Sequence, residues 1–241
     1  MLAYHSGMTA LRRCLFGLAV LQPLWAQQER AAKDTASPAP ATSPVLAAAQ
    51  RLATTTYRGF TSGPGENGAA KQIDCTCYVA AVCSELARTA GRPLTAPQLA
   101  AVKIANLDAD ERAHLQQLVD QSAPKIRGVA QALVDAGLGT AIAPQDAQPG
   151  DFVQYWYEVT AKDGTKQWLG HAAIVERFEK KQAVLLGSHK TTLRERADGD
   201  AAIAVDRGGI GSGPRFDLAD PKRRVFVVRW TAKPRADDAH K

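Results

Sequence analysis

The sequence predicts an α+β domain in which helices pack on a small antiparallel sheet. Apolar residues recur at helical spacing through the first half of the chain and at strand spacing after Pro149. The later segments are joined by hairpin-type turns rather than by alternating helices, so helices and strands fall into separate blocks. The 241 residues are 45% hydrophobic and 6% aromatic, with 19 glycines, 13 prolines and no repeat, which suits one domain held by apolar burial.

At the N-terminus, Arg12 and Arg13 precede an apolar run from Cys14 to Trp25, and Ala26 ends a small-residue cleavage site. This reads as a secretory signal over residues 1–26, so the protein is expected to be exported, periplasmic or secreted. The run is too short for a bilayer span, and no stable membrane insertion is expected. Removing 26 residues leaves 215. Losing Arg12 and Arg13 from 30 basic residues against 24 acidic ones leaves a net charge of +4. No stripe of basic and aromatic residues points to nucleic acid.

Residues 27–45 are rich in Ala, Pro, Ser and Thr and read as a disordered linker. The domain is expected over 46–231, with a flexible tail over 232–241, and the protein is expected to act as a monomer. Helices are predicted over Asp74 to Ala90, Thr95 to Asn106 with Thr95 as cap, Ala109 to Gln121 behind an Asp108/Glu111 capping box, and Lys125 to Ala136 ending at Gly137. Strands are predicted over Asp151 to Val159, Gln167 to Phe178, Ala183 to His189 and Arg224 to Trp230, with a turn at Asp163-Gly164. Lys190 to Arg223 reads as a long glycine-rich loop.

Three cysteines remain after signal removal, Cys75, Cys77 and Cys83. An odd count in an exported chain leaves at least one thiol free or paired between molecules. At about 100° per residue, Cys75 shares the packed stripe with Val79, Val82, Cys83 and Leu86, while Cys77 lies about 200° away and faces outward. Cys83 reads as core filler. A thiol in the first helical turn gains from the unpaired amides there, which lower its pKa, so Cys75 is expected to react with iodoacetamide faster than free cysteine at mildly acid pH.

His5 leaves with the signal, His240 sits in the tail and His114 reads as a surface residue. His171 opens the strand Ala172-Ala173-Ile174-Val175, and His189 ends the next strand, so adjacent antiparallel strands bring the two together. A thiol, an imidazole and a third polar group that orients the imidazole are what amide hydrolysis through a thioester requires. Cys75 is the candidate nucleophile, His171 the base, and His189 the orienter, with Ser188 or Asn106 as alternatives. Zinc is the first rival, but structural zinc wants paired cysteines at a turn, and Cys75 and Cys77 diverge on one helix. No cofactor or metal is expected.

The segment Ile73-Asp74-Cys75-Thr76-Cys77-Tyr78-Val79 resembles the Asp-Cys-Ser-Gly-Phe/Leu-Val nucleophile motif of the NlpC-type, papain-like cell-wall endopeptidases. Pro149-Gly150-Asp151-Phe152-Val153 is similar to the strand preceding their histidine, and Gly170-His171-Ala172-Ala173-Ile174-Val175 to the strand carrying it. Thr56-Tyr57-Arg58-Gly59 is similar to their Tyr-x-x-Gly, with one residue fewer. The resemblance spans about Leu46 to Trp230 and implies a papain-like cysteine hydrolase of peptidoglycan stem peptides. It puts Tyr57, Asp74 and Thr76 at the substrate and makes the Cys75 amide the oxyanion donor. Thr76 and Cys77 depart from the small Ser-Gly pair, and a helical insert over about 92–147 exceeds a minimal member. A non-catalytic wall- or protein-binding module on the same fold and a thioester acyltransferase are the other functions this pattern fits.

Overall fold

The computed structural model describes residues 43–57, 59–60, 66–67, 72–103, 107–118, 120–121, 126–189, 192–194, 203–205 and 209–232. The expected signal, most of the linker, almost all of the tail and Asn106 lie outside the described residues.

Five α-helices are described. Pro44–Thr55 (α1) starts with Pro44 in its first turn, and Val45 is buried, so the fold takes in the last two residues expected in the linker. Cys75–Thr89 (α2) follows the N-cap Asp74. Ala96–Val102 (α3) and Ala109–Gln117 (α4) both open on complete capping boxes, Thr95 with Gln98 and Asp108 with Glu111. Both stop short of the expected ends, because Lys103 and Leu118 turn extended, at ψ 123 and 116. Val129–Asp135 (α5) starts later than expected, because Gly128 has φ 136 and cannot lie in a helix. Its end matches the glycine signal, with Gly137 at φ 63.

The main sheet has six strands, all antiparallel: Gly139–Ile142 (β4), Phe152–Thr160 (β5), Lys166–Glu179 (β6), Gln182–His189 (β7), Gly209–Phe216 (β10) and Arg223–Trp230 (β11), in the order β10-β7-β6-β5-β11-β4. Shorter strands are Gly59–Phe60 (β1), Glu66–Asn67 (β2) and Gln72–Ile73 (β3), forming a sheet of their own, and Thr192–Arg194 (β8) with Ile203–Val205 (β9). The structure is thus mixed α and β with an antiparallel main sheet.

Two expectations are corrected. Gly139–Ile142 lies inside the segment expected to be helical, yet the chain runs extended there and pairs with β11 as an edge strand. The expected loop from Lys190 to Arg223 contains β8, β9 and β10, and β10 is the sheet's other edge, on β7.

Both faces of the sheet are covered. Phe152, Trp156, Ala172, Ile174, Leu186 and Phe226 meet the helices in one core, and Val153, Tyr155, Ala173, Val175, Leu185 and Val225 form a second on the other face. Strands buried on both sides read as continuous apolar runs, which is why Ala172 to Val175 shows no alternation. Burying a side chain of the size of Phe152 or Phe226 stabilises the fold by about 1.5–3 kcal/mol.

Two polar anchors fix the frame. Asp151 is buried and takes a two-point bond from Arg229 of β11, at 2.9 and 2.8 Å, while accepting from the Gln148 amide at 2.7 Å. This contact pins the start of β5 and gives the Pro149-Gly150-Asp151 segment a structural role. Gln154 is fully buried, donating to the Arg127 carbonyl at 2.9 Å and lying so close to Gly128 that no side chain fits there. No helix among the described residues is long and apolar enough to cross a membrane.

Candidate active site

Asp74 organises the start of α2. Its Oδ1 accepts from the Thr76 amide at 2.7 Å, the Cys77 amide at 3.0 Å and the Thr76 hydroxyl at 2.8 Å. Cys75 is thereby held as the first helical residue, between the cap and the first turn. Ser188 of β7 donates to the Ile73 carbonyl at 2.5 Å, so the strand leading into the cap is tied to the main sheet.

Asp74 and Thr76, expected at the substrate, are both buried and bonded to each other within this cap. Tyr57 is partly buried and meets the ring of Tyr78 edge-on at 6.5 Å, one turn of α2 beyond Cys75. Tyr78 in turn donates to the Ala49 carbonyl of α1 at 2.7 Å.

Of the three described cysteines, Cys75 is partly exposed, whereas Cys77 and Cys83 are buried. The outward orientation expected for Cys77 is corrected: α1 and α3 also pack on α2, so its first two turns are covered on nearly every side. Cys83 lies in the core, as expected of filler. His114 is exposed on α4.

The thiol meets β6 at the backbone amide of Ala172, the residue after His171. Burial pushes the Cys75 thiol up to about 11. The amides of Ala172, Cys75 and Thr76 work against that rise, while the Asp74 carboxylate adds to it. The expectation of a lowered pKa is therefore corrected: helix-start amides act, but loss of water outweighs them. In iodoacetamide labelling at pH 6, Cys75 should react more slowly than free cysteine and accelerate steadily up to pH 9. A rate above that of free cysteine at pH 6 would restore the thiolate.

His171 and His189 sit in one row across the sheet. The register that pairs Ile174 with Leu186 carries His171 opposite His189, and Tyr155 pairs with His171 on the other side. His171 Nε2 and His189 Nδ1 are 2.9 Å apart. His189 Nε2 lies 3.2 Å from the Leu185 carbonyl, which can only accept. Burial lowers the His189 pKa to about 4, against the opposing carbonyls of Leu185 and Gly211. It also holds His171 well below the usual imidazole value, with His189 adding to the effect. Both rings are neutral at pH 7, and each carries one N–H. His189 must place its proton on Nε2, so its Nδ1 accepts from His171 Nε2–H. His171 is left with a lone pair on Nδ1.

Glycines shape the seat of His189. An added Cβ at Gly213 would overlap Nε2, Cδ2 and Cε1 of its ring, and one at Gly187 would come within 3.1 Å of Cε1. Gly209, Gly211 and Gly213 alternate along β10, with Gly209 paired to His189 and Gly211 to Gly187. The strand thus presents a face without side chains to the imidazole. Sequence reasoning missed this role, and the signal was the period of two in Gly-Ile-Gly-Ser-Gly. Tyr155 was also missed: it is buried, its ring 5.5 Å from that of His171, edge to face.

The structure therefore brings the thiol to the strand of His171 and joins the two imidazoles; the rings share the sheet face of Tyr155 and Ala173, whereas α2 packs on the face of Ala172 and Ile174, and no hydrogen bond links Cys75 to either ring among the described residues. Ser188 points to the other face of the sheet and does not orient His171. An open cavity of about 180 Å³ beside Ser43, Gln148, Asp151 and Arg229 lies at the start of β5, several residues along the strand from Tyr155. It is walled by an ion pair that already satisfies its charges, and it is not the site at the cysteine.

A scan against protein-family models and searches of curated proteins and of solved structures found no match to this chain.

Proposed function

We propose that the protein is an exported cysteine hydrolase with a papain-like, NlpC-type arrangement that cleaves an amide bond in peptidoglycan stem peptides. One observation carries the proposal: the 2.9 Å contact between His171 and His189 leaves Nδ1 of His171 as a base on the strand whose next amide faces the Cys75 sulfur. The peptidoglycan substrate rests on the resemblance of the segments around Cys75, Pro149 and His171 to that family.

In this mechanism the Cys75 sulfur attacks the substrate carbonyl as its proton passes to His171 Nδ1. The carbonyl oxygen takes the negative charge and is met by the Cys75 amide. Collapse of the adduct breaks the C–N bond, His171 returns the proton to the leaving amine, and a thioester remains. Water, deprotonated by His171, then releases the acid and restores the thiol. With the thiol raised and the imidazole lowered, the resting pair is neutral, so proton transfer accompanies attack instead of preceding it. His189 acts through His171 by holding its tautomer and is a positioning residue.

That neutral pair is also the observation that favours the second reading, a binding module on the same fold. Digestion of purified peptidoglycan by the mature protein, read by mass spectrometry, separates the two. Stem-peptide fragments that vanish with Cys75→Ala are expected. Equal release by both proteins would remove Cys75 from the mechanism, and no release by either would favour the binding module.

A further inference from the structure

Two residues along the strands from the His171 row, the same face of the sheet carries a second row: Leu169 on β6 pairs with Tyr157 on β5, which pairs with Arg223 on β11. Leu169 is 43% exposed, one of two large apolar side chains so exposed among the described residues, and Tyr157 and Arg223 are half-buried. The Arg223 guanidinium lies 4.2 Å from the ring centre of Phe216, 5.6 Å from that of Tyr157 and 5.7 Å from that of Tyr155. Three rings therefore hold a cation in place. Its Nε is buried and makes no hydrogen bond, and Asp220 Oδ2 approaches that nitrogen only as an ion pair at 3.4 Å. A stacked, fixed guanidinium with donors to spare is suited to a carboxylate, which it can grip at two points. The exposed leucine and the tyrosine beside it suit an aliphatic chain.

We propose that Leu169, Tyr157 and Arg223 form a substrate subsite for a carboxylate-bearing residue of the peptide, with Arg223 taking the carboxylate. This rests on the hydrolase reading and adds a specificity to it. Two residues along a strand and two strands across separate the backbones of His171 and Arg223 by about 12 Å, the span of three to four extended residues. The recognised acid would thus lie about three to four residues of extended peptide from His171.

The test uses two synthetic acetylated tetrapeptides that differ only in glutamate against glutamine at one position, scanned along the chain. Binding is measured calorimetrically on the Cys75→Ala protein, which cannot turn them over. At one position the glutamate peptide is expected to bind about tenfold more tightly or better, and Arg223→Gln is expected to bring the ratio to about one. Leu169→Ser should weaken both peptides alike. Should Arg223→Gln not fold, Arg223→Lys, which keeps the charge but not the fork, is expected to lower the ratio severalfold. A preference that survives Arg223→Gln or stays undiminished in Arg223→Lys, no preference at any position, or no binding of either peptide at millimolar concentration overturns the subsite. The hydrolase reading fails separately: carboxylate-selective binding by a wild-type protein that cleaves nothing would keep the subsite and discard the chemistry.

Discussion

Gly213→Val is expected to cost the proposed hydrolase on the order of a hundredfold to ten-thousandfold in kcat, the range set by misplacing the tautomer of a catalytic histidine. The reason is steric. The His189 ring already occupies the space a Cβ at 213 needs, and both of its nitrogens are committed, one to the Leu185 carbonyl and one to His171. Moving the ring breaks at least one of those bonds and frees His171 to carry its proton on either nitrogen. Imidazole ¹⁵N shifts read this directly, without any substrate: the wild type should show two neutral rings protonated on Nε2, and the variant a mixed tautomer at His171. In a His189→Asn background, where the ring is gone, Gly213→Val should cost little more. Unchanged shifts and activity in Gly213→Val would mean that the strand is not a seat for the ring.

Stability is expected to fall steeply on mild acidification. Both histidines titrate below the usual value of 6.5 in the folded protein, His189 at about 4 and His171 well below 6.5 through burial and the neighbouring His189. A group whose folded pKa is depressed is bound by more protons in the unfolded chain, so its stabilisation is present above pH 6.5 and disappears as pH falls toward the folded pKa. From pH 6.5 to 5, where carboxylates are still largely ionised, His189 alone should remove roughly 1.5 kcal/mol. The urea midpoint should drop across that interval, and His189→Gln should flatten the drop. A midpoint that holds or rises between pH 6.5 and 5 would contradict the burial of neutral imidazoles.

The features legible in the sequence were those set by neighbouring residues. Thr95 as a helix cap and Asp108 with Glu111 as a capping box are local bonds between positions three apart, and the structure contains both, whereas Asp74, placed inside the helix by its spacing, turns out to be its cap. The meeting of His171 with His189 was legible too, because a hairpin fixes which strand ends face each other. What could not be read depends on distant chain. Cys77 is buried in the core, the helices α1 and α3 that pack on α2 lie elsewhere in the chain, and nothing within its own helix indicates that. The thiol's pKa follows from how much water the whole fold removes, which outweighs the helix start that sequence can locate. β10 carries glycine where strands usually carry apolar side chains, so its pattern resembled a loop until its partner on β7 was in place.

The cap that builds the helix of the proposed nucleophile also quiets it. Asp74 grips the first turn through Oδ1 and, by its charge, helps keep the neighbouring sulfur protonated. With a pKa of about 11, only about one molecule in ten thousand carries a thiolate at pH 7, and peroxides oxidise the thiolate. In the proposed exported hydrolase, a sulfur so guarded would lie partly open to an oxidising medium for long periods and still be reduced when a peptide arrives.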